Sequence, residues 1–127
     1  MLGFLRRLLR RNDRREYERF VASQVTPVFI GHSVPQQAEI IDLSVGGVAL
    51  KYISSEGQIK DVFALDFQAS DGFQMGKVLV QKIADRKNKA SGNTFDRMLR
   101  GQFLNLSQAK AMKLETFLKN YQEKFGK

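Results

Sequence analysis

Apolar residues change their spacing twice along this chain. From Met1 to Arg11 they follow a helical wheel, with Leu2, Phe4, Leu5, Leu8 and Leu9 on one face and Arg6, Arg7, Arg10 and Arg11 on the other. The split predicts a short amphipathic helix over 1–11. Such a helix needs a surface to lie on, because helices under about 12 residues are marginal in water. Asn12 to Phe20 is dense in charge and reads as a linker or an extended arm, the arm segment running over 12–24.

From Val25 to about Leu106 the period falls to two, and β-branched and aromatic residues recur. The pattern predicts six strands. They are Val25–Ile30, Gln37–Leu43, Val48–Ile53, Ile59–Phe67, Phe73–Ala84 and Phe95–Leu104. Pro27 marks the first as an edge strand or an irregular start. Turn signals separate the strands: Gly46-Gly47, Asp71-Gly72 and Ser91-Gly92-Asn93. Short strands at regular spacing argue for a barrel or sandwich over 25–106. Ser107 then caps a helix predicted to run through about Glu123. Leu114, Phe117, Leu118, Tyr121 and Phe125 form its apolar stripe, and Glu115 and Lys119 are spaced for an i,i+4 ion pair. This helix is expected to cover one end or face of the barrel.

Composition narrows the chemistry. A length of 127 residues fits one domain. A formal net charge of +8 points to an anionic partner: nucleic acid, nucleotide or a membrane surface. There is no cysteine, so disulfides, thiolate catalysis and cysteine-based zinc sites are excluded. The one histidine, His32, lies between Gly31 and Ser33 and reads as a loop residue. No apolar run approaches the roughly 18 residues that span a bilayer. The start lacks the apolar core and cleavage site of a signal peptide, so a cytoplasmic location is expected. No histidine–carboxylate–nucleophile set, P-loop or cluster of metal ligands is visible, and Asp61, Asp66 and Asp71 read as strand-end and turn residues. An enzyme is not expected, and neither a cofactor nor a metal is implied.

Two constellations carry binding chemistry. Seven of the ten arginines fall at or before Arg19. Arginine presents a planar fork of donors that suits phosphate oxygens and the O6/N7 edge of guanine, and its plane stacks on a base. The same stretch also reads as a solvated charged linker. The second constellation is Asp42-Leu43-Ser44-Val45-Gly46-Gly47, between the second and third strands. A carboxylate there suits the N1–H and N2–H₂ donors of guanine, a serine hydroxyl suits phosphate or sugar, and the glycines allow positive φ and close approach of a ligand. A plain β-turn with local Asp and Ser hydrogen bonds is the competing reading.

Together these elements resemble the signature of the PilZ domain family. In that signature an Arg-x-x-x-Arg arm precedes Asp/Asn-x-Ser-x-x-Gly by about twenty to thirty residues. Here it stands as Arg15-Glu16-Tyr17-Glu18-Arg19 and Asp42-Leu43-Ser44-Val45-Gly46-Gly47, with no departure at the signature positions. The stretch from Arg100 to Ser107 looks like the family's last strand running into its C-terminal helix. The resemblance covers roughly Arg10 to Tyr121 and leaves the amphipathic start outside.

The resemblance implies a single-domain, six-stranded antiparallel barrel that acts as a non-catalytic receptor for the bacterial second messenger cyclic di-GMP. The arm would fold over the nucleotide on the barrel surface. Arg15 and Arg19 match the family's phosphate- and guanine-binding arginines, and Asp42 its guanine-edge acceptor. Ser44, Gly46 and Gly47 match the turn that holds the ligand. Arg14 extends the arm to Arg14-Arg15-x-x-x-Arg19, a doubled form that implies two stacked nucleotides per chain. The downstream protein target is not named by the sequence. Two other readings stay open. One is a membrane- or partner-docking basic module in which helix 1–11 does the work and the nucleotide site is lost or incidental, with packing of that helix on its own barrel or on a second copy in a homodimer as the competing use. The other is a nucleic-acid binder of the OB type, disfavoured because most of the ten phenylalanines fall at core-facing alternations.

Overall fold

The computed structural model describes residues 22–89 and 94–125, the last five of these in backbone only. Six strands follow one another in the chain: β1 (Val25–Ile30), β2 (Ala38–Leu43), β3 (Gly47–Tyr52), β4 (Val62–Ala69), β5 (Gln74–Lys87) and β6 (Arg97–Phe103). A short 3₁₀ turn, Ser54–Glu56, follows β3, and helix α1 (Gln108–Phe125) follows β6. The strands form one sheet in the order β1-β4-β5-β6-β3-β2, and every neighbouring pair is antiparallel. The two end strands, β1 and β2, come alongside each other, so the sheet curls into a nearly closed barrel. Pro27 lies in an end strand, where its missing N–H interrupts the fewest ladder bonds.

Alternation builds the core. In β1, Val25, Pro27 and Phe29 turn inward, and Thr26, Val28 and Ile30 turn outward. Leu50, Leu65 and Val80 have no exposed surface and form the centre with Phe67 and Leu99. Phe29 packs on Phe63 (ring centroids 5.7 Å apart) and edge-on to Tyr52 (6.4 Å), while Phe67 meets Phe103 edge-on (6.1 Å). Ala22, helical with Ser23, is also in this core, so the end of the predicted arm is anchored in the barrel.

Helix α1 begins as its sequence predicts. The Ser107 hydroxyl accepts the Lys110 N–H (3.2 Å), and the Ser107 carbonyl accepts the Ala111 N–H (2.8 Å). Leu114 and Phe117 are buried, and Phe117 stacks on Phe73 at 4.0 Å. Lys110 fastens the first turn by donating to the Gly76 carbonyl (2.8 Å). The expected Glu115–Lys119 ion pair is not among the salt bridges of the described residues. Both side chains are exposed, and such a pair contributes only a few tenths of a kcal/mol.

The strand ends depart from the predicted ones for identifiable reasons. β4 starts at Val62 rather than Ile59, because Ile59 is buried in the preceding loop, where its carbonyl accepts from Lys82 Nζ (3.1 Å). β5 starts after Phe73 because the turn captures that residue: its N–H donates to Asp71 (2.9 Å), and Gly72 adopts φ 97°. At the other end β5 runs on to Lys87, three residues past Ala84, pairing with β6 across a bulge. The predicted helix 1–11 and most of the arm lie outside the described residues.

Candidate functional site

The Asp-x-Ser-x-x-Gly segment forms the connection between β2 and β3. A bulge at Ile41 shifts the pairing of the two strands, so that Ile40 faces Leu50 and Asp42 faces Ala49. Ile40 and Leu43 remain in the core, and Asp42 stands half-buried on the outer face. Among the described residues its carboxylate makes no hydrogen bond and no ion pair.

Ser44 is occupied locally. Its N–H donates to the Gly47 carbonyl (3.0 Å), its hydroxyl lies 3.5 Å from the same oxygen, and that hydroxyl accepts the Gly46 N–H (3.3 Å). These are the bonds of a serine turn, as in the competing sequence reading. The glycines have a different use from the expected one. Neither Gly46 nor Gly47 has positive φ. A Cβ on Gly47 would lie 2.2 Å from the Gly101 carbonyl oxygen, so glycine is required there by the approach of β6. The Gly46 carbonyl accepts the Phe103 N–H (3.0 Å), which ties the turn to the same strand. The segment is thus held from two sides, and its carboxylate is presented at the outer surface.

The register carries this outer row across the sheet. Asp42 pairs with Ala49, and Ala49 with Arg100 on β6. Leu99 and Gly101 point inward, so Arg100 points outward, and it is exposed. Arg14, Arg15 and Arg19 lie outside the described residues, so of the predicted site residues the structure places Asp42, Ser44, Gly46 and Gly47 together on one turn.

A second polar cluster closes another part of the barrel. Tyr52 donates to Asp85 (2.5 Å), Arg97 Nε donates to the other Asp85 oxygen (3.0 Å), and Lys82 lies 4.0 Å from the same carboxylate. Burial, followed by the Asp85 hydrogen bond and charge, pushes the Tyr52 hydroxyl up to about 12. The bond to Asp85 likewise raises Arg97. Hydrogen bonds from the Ser54 hydroxyl and N–H hold Asp96 below the usual carboxylate range. Every charge here has a partner, which makes the cluster structural. The acidic residues considered in sequence are also used locally. Asp71 caps its turn and Asp61 lies 3.8 Å from Lys82. Asp66, inside β4 rather than at its end, accepts the Lys77 N–H (2.8 Å). No grouping of metal ligands occurs among the described residues.

A six-stranded antiparallel barrel with a C-terminal helix, bearing an outward carboxylate on a pinned β2–β3 turn, places the chain among small antiparallel β-barrel domains. Residues 13–120 match the PilZ domain, and the chain belongs to that family. PilZ domains generally bind cyclic di-GMP and act as non-catalytic receptors. No curated protein gives a significant match. Among the described residues no helix is long and apolar enough to cross a membrane.

The Tyr52–Asp85–Arg97 cluster and the cross-strand row that joins Arg100 to Ala49 and Asp42 went unnoticed in the sequence. Their partners lie on other strands, at separations that only the sheet register fixes. The signal for Arg100 was its place one residue before Gly101 on an alternating strand.

Proposed function

We propose that this chain is a cyclic di-GMP receptor in which Arg14, Arg15 and Arg19 close over a nucleotide seated on the β2–β3 turn. The observation that supports this most is Asp42. Its carboxylate is presented at the outer surface without a partner among the described residues, so both oxygens can accept from a ligand. It sits at the signature position of a family that generally binds this nucleotide. Guanine offers N1–H and N2–H₂ as paired donors for one carboxylate. The arginine arm supplies planar cations for the phosphates and for stacking on the base. Ser44 holds the turn that carries Asp42, and Gly47 lets that turn lie against β6. The proposed role is binding alone, with output passed to a protein partner.

Calorimetric titration with cyclic di-GMP tests the reading. The wild type is expected to bind. Asp42→Ala and Arg19→Ala are each expected to weaken binding by about tenfold to a hundredfold, the loss of a charge-assisted or bidentate contact. Their thermal melts should stay close to the wild type. Failure of the wild type to bind overturns the function, and unchanged affinity in both folded variants overturns the site.

A further inference from the structure

Among the described residues the outer face formed by β2, β3 and β6 carries two cations, Lys51 and Arg100. Lys51 pairs with Glu39 at 3.3 Å and lies 5.3 Å over the Phe95 ring. Arg100 is exposed and has no hydrogen bond or ion pair among the described residues. It shares a cross-strand row with Asp42, with only Ala49 between them. Two strand spacings separate their backbones by roughly 10 Å.

Resting on the receptor reading above, we propose that Arg100 is a binding residue of the same site, holding a phosphate of the dinucleotide whose guanine edge meets Asp42. The assignment follows from charge and spacing. A phosphate beside Asp42 would meet a like charge at short range. The anion therefore seats away from Asp42, and along this row the available cation is Arg100. Ala49 contributes only a buried methyl group, 5% exposed, so a ligand spanning β3 meets Asp42 and Arg100 rather than the residue between them. The outermost strand thus supplies the base acceptor and β6 supplies a phosphate donor. Neither contact involves the arginine arm, so the barrel itself presents the complementary pair.

The test uses the full chain and cyclic di-GMP, with affinity measured at several salt concentrations. Arg100→Ala and Arg100→Gln are expected to weaken binding about tenfold or more, as for other charge-assisted contacts. Their salt dependence should be shallower than the wild type's, because one ion contact is gone. Arg100→Lys should recover much of the affinity, since a point charge suffices for a phosphate. Thermal melts are expected to stay unchanged for these exposed substitutions. If the wild type binds and Asp42→Ala weakens it while Arg100→Ala and Arg100→Gln bind normally, the inference is overturned and the receptor reading stands. If Arg100→Lys is as weak as Arg100→Ala and the salt dependence is unaltered, the phosphate assignment is overturned. A wild type that does not bind overturns both.

Discussion

Gly47 lies so close to Gly101 that a Cβ on Gly47 would stand 2.2 Å from the Gly101 carbonyl oxygen. Two strands far apart in sequence meet at this point without room for a methyl group. The obstacle is backbone, so it cannot swing aside as a side chain can. The turn that carries Asp42 and Ser44 is thereby fixed to β6, and the proposed ligand surface is tied to the barrel's integrity.

Gly47→Ala is therefore expected to strain the β3–β6 pairing and to destabilise the protein by about 1–3 kcal/mol, the usual range for overpacking. Chemical denaturation reads this as a lower midpoint. The same substitution should weaken cyclic di-GMP binding by shifting the turn. Gly46→Ala is the contrast: a Cβ there meets only the Ser44 hydroxyl, at 3.9 Å, and its stability should change little. Equal stability of the two variants contradicts the account.

The Tyr52 hydroxyl gives a pH signature. Its pKa in the fold is about 12, against 10.0 for the free side chain, because burial and Asp85 disfavour the phenolate. A raised folded-state value means that its stabilisation is fully present below pH 10. It is lost as pH rises from about 10 through 12, since the unfolded chain releases the proton first. The full loss is on the order of 2–3 kcal/mol. Tyr52→Phe should be less stable at neutral pH, because Asp85 loses a donor, and should show a flatter decline above pH 10 than the wild type. Parallel stability curves for the two proteins would falsify the assignment.

Arg14 is expected to set stoichiometry. Two stacked cyclic di-GMP molecules bring four phosphate charges into one small site, and a third guanidinium offsets their repulsion. Calorimetry should give two nucleotides per wild-type chain and one per Arg14→Leu chain. One per chain in the wild type ends the idea.

Removal of residues 1–11 is expected to leave the barrel and its nucleotide affinity nearly intact. The family match begins at residue 13, and the described core runs from Ala22 to Phe117. The apolar face of Leu2, Phe4, Leu5, Leu8 and Leu9 should act on output instead. Loss of dimerisation, vesicle binding or partner binding in the truncated chain is the expected readout, and loss of β-sheet circular dichroism is the result against it.

Much of this was legible before folding was considered. Period-two alternation located all six strands, because a strand half-buried in a core must alternate, and the fold turns Val48, Leu50, Leu65, Leu99 and Phe103 inward. Ser107 announced its helix, since a cap is a bond between near neighbours. The signature segment located Asp42 and its turn by local chemistry alone. What local chemistry missed are facts of register. The Ile41 bulge, one residue of slip, places Asp42 opposite Ala49 and so in line with Arg100. Gly47 reads in sequence as a flexible turn glycine, and only the approach of Gly101 reveals it as a steric requirement. Tyr52, Asp85 and Arg97 are spread over β3, β5 and β6 and become one hydrogen-bonded cluster only when those strands are adjacent. Sequence specifies what each residue offers to its neighbours along the chain. Which offers meet across strands is decided by the closing of the barrel, because pairing at long separation depends on the whole sheet settling in one register.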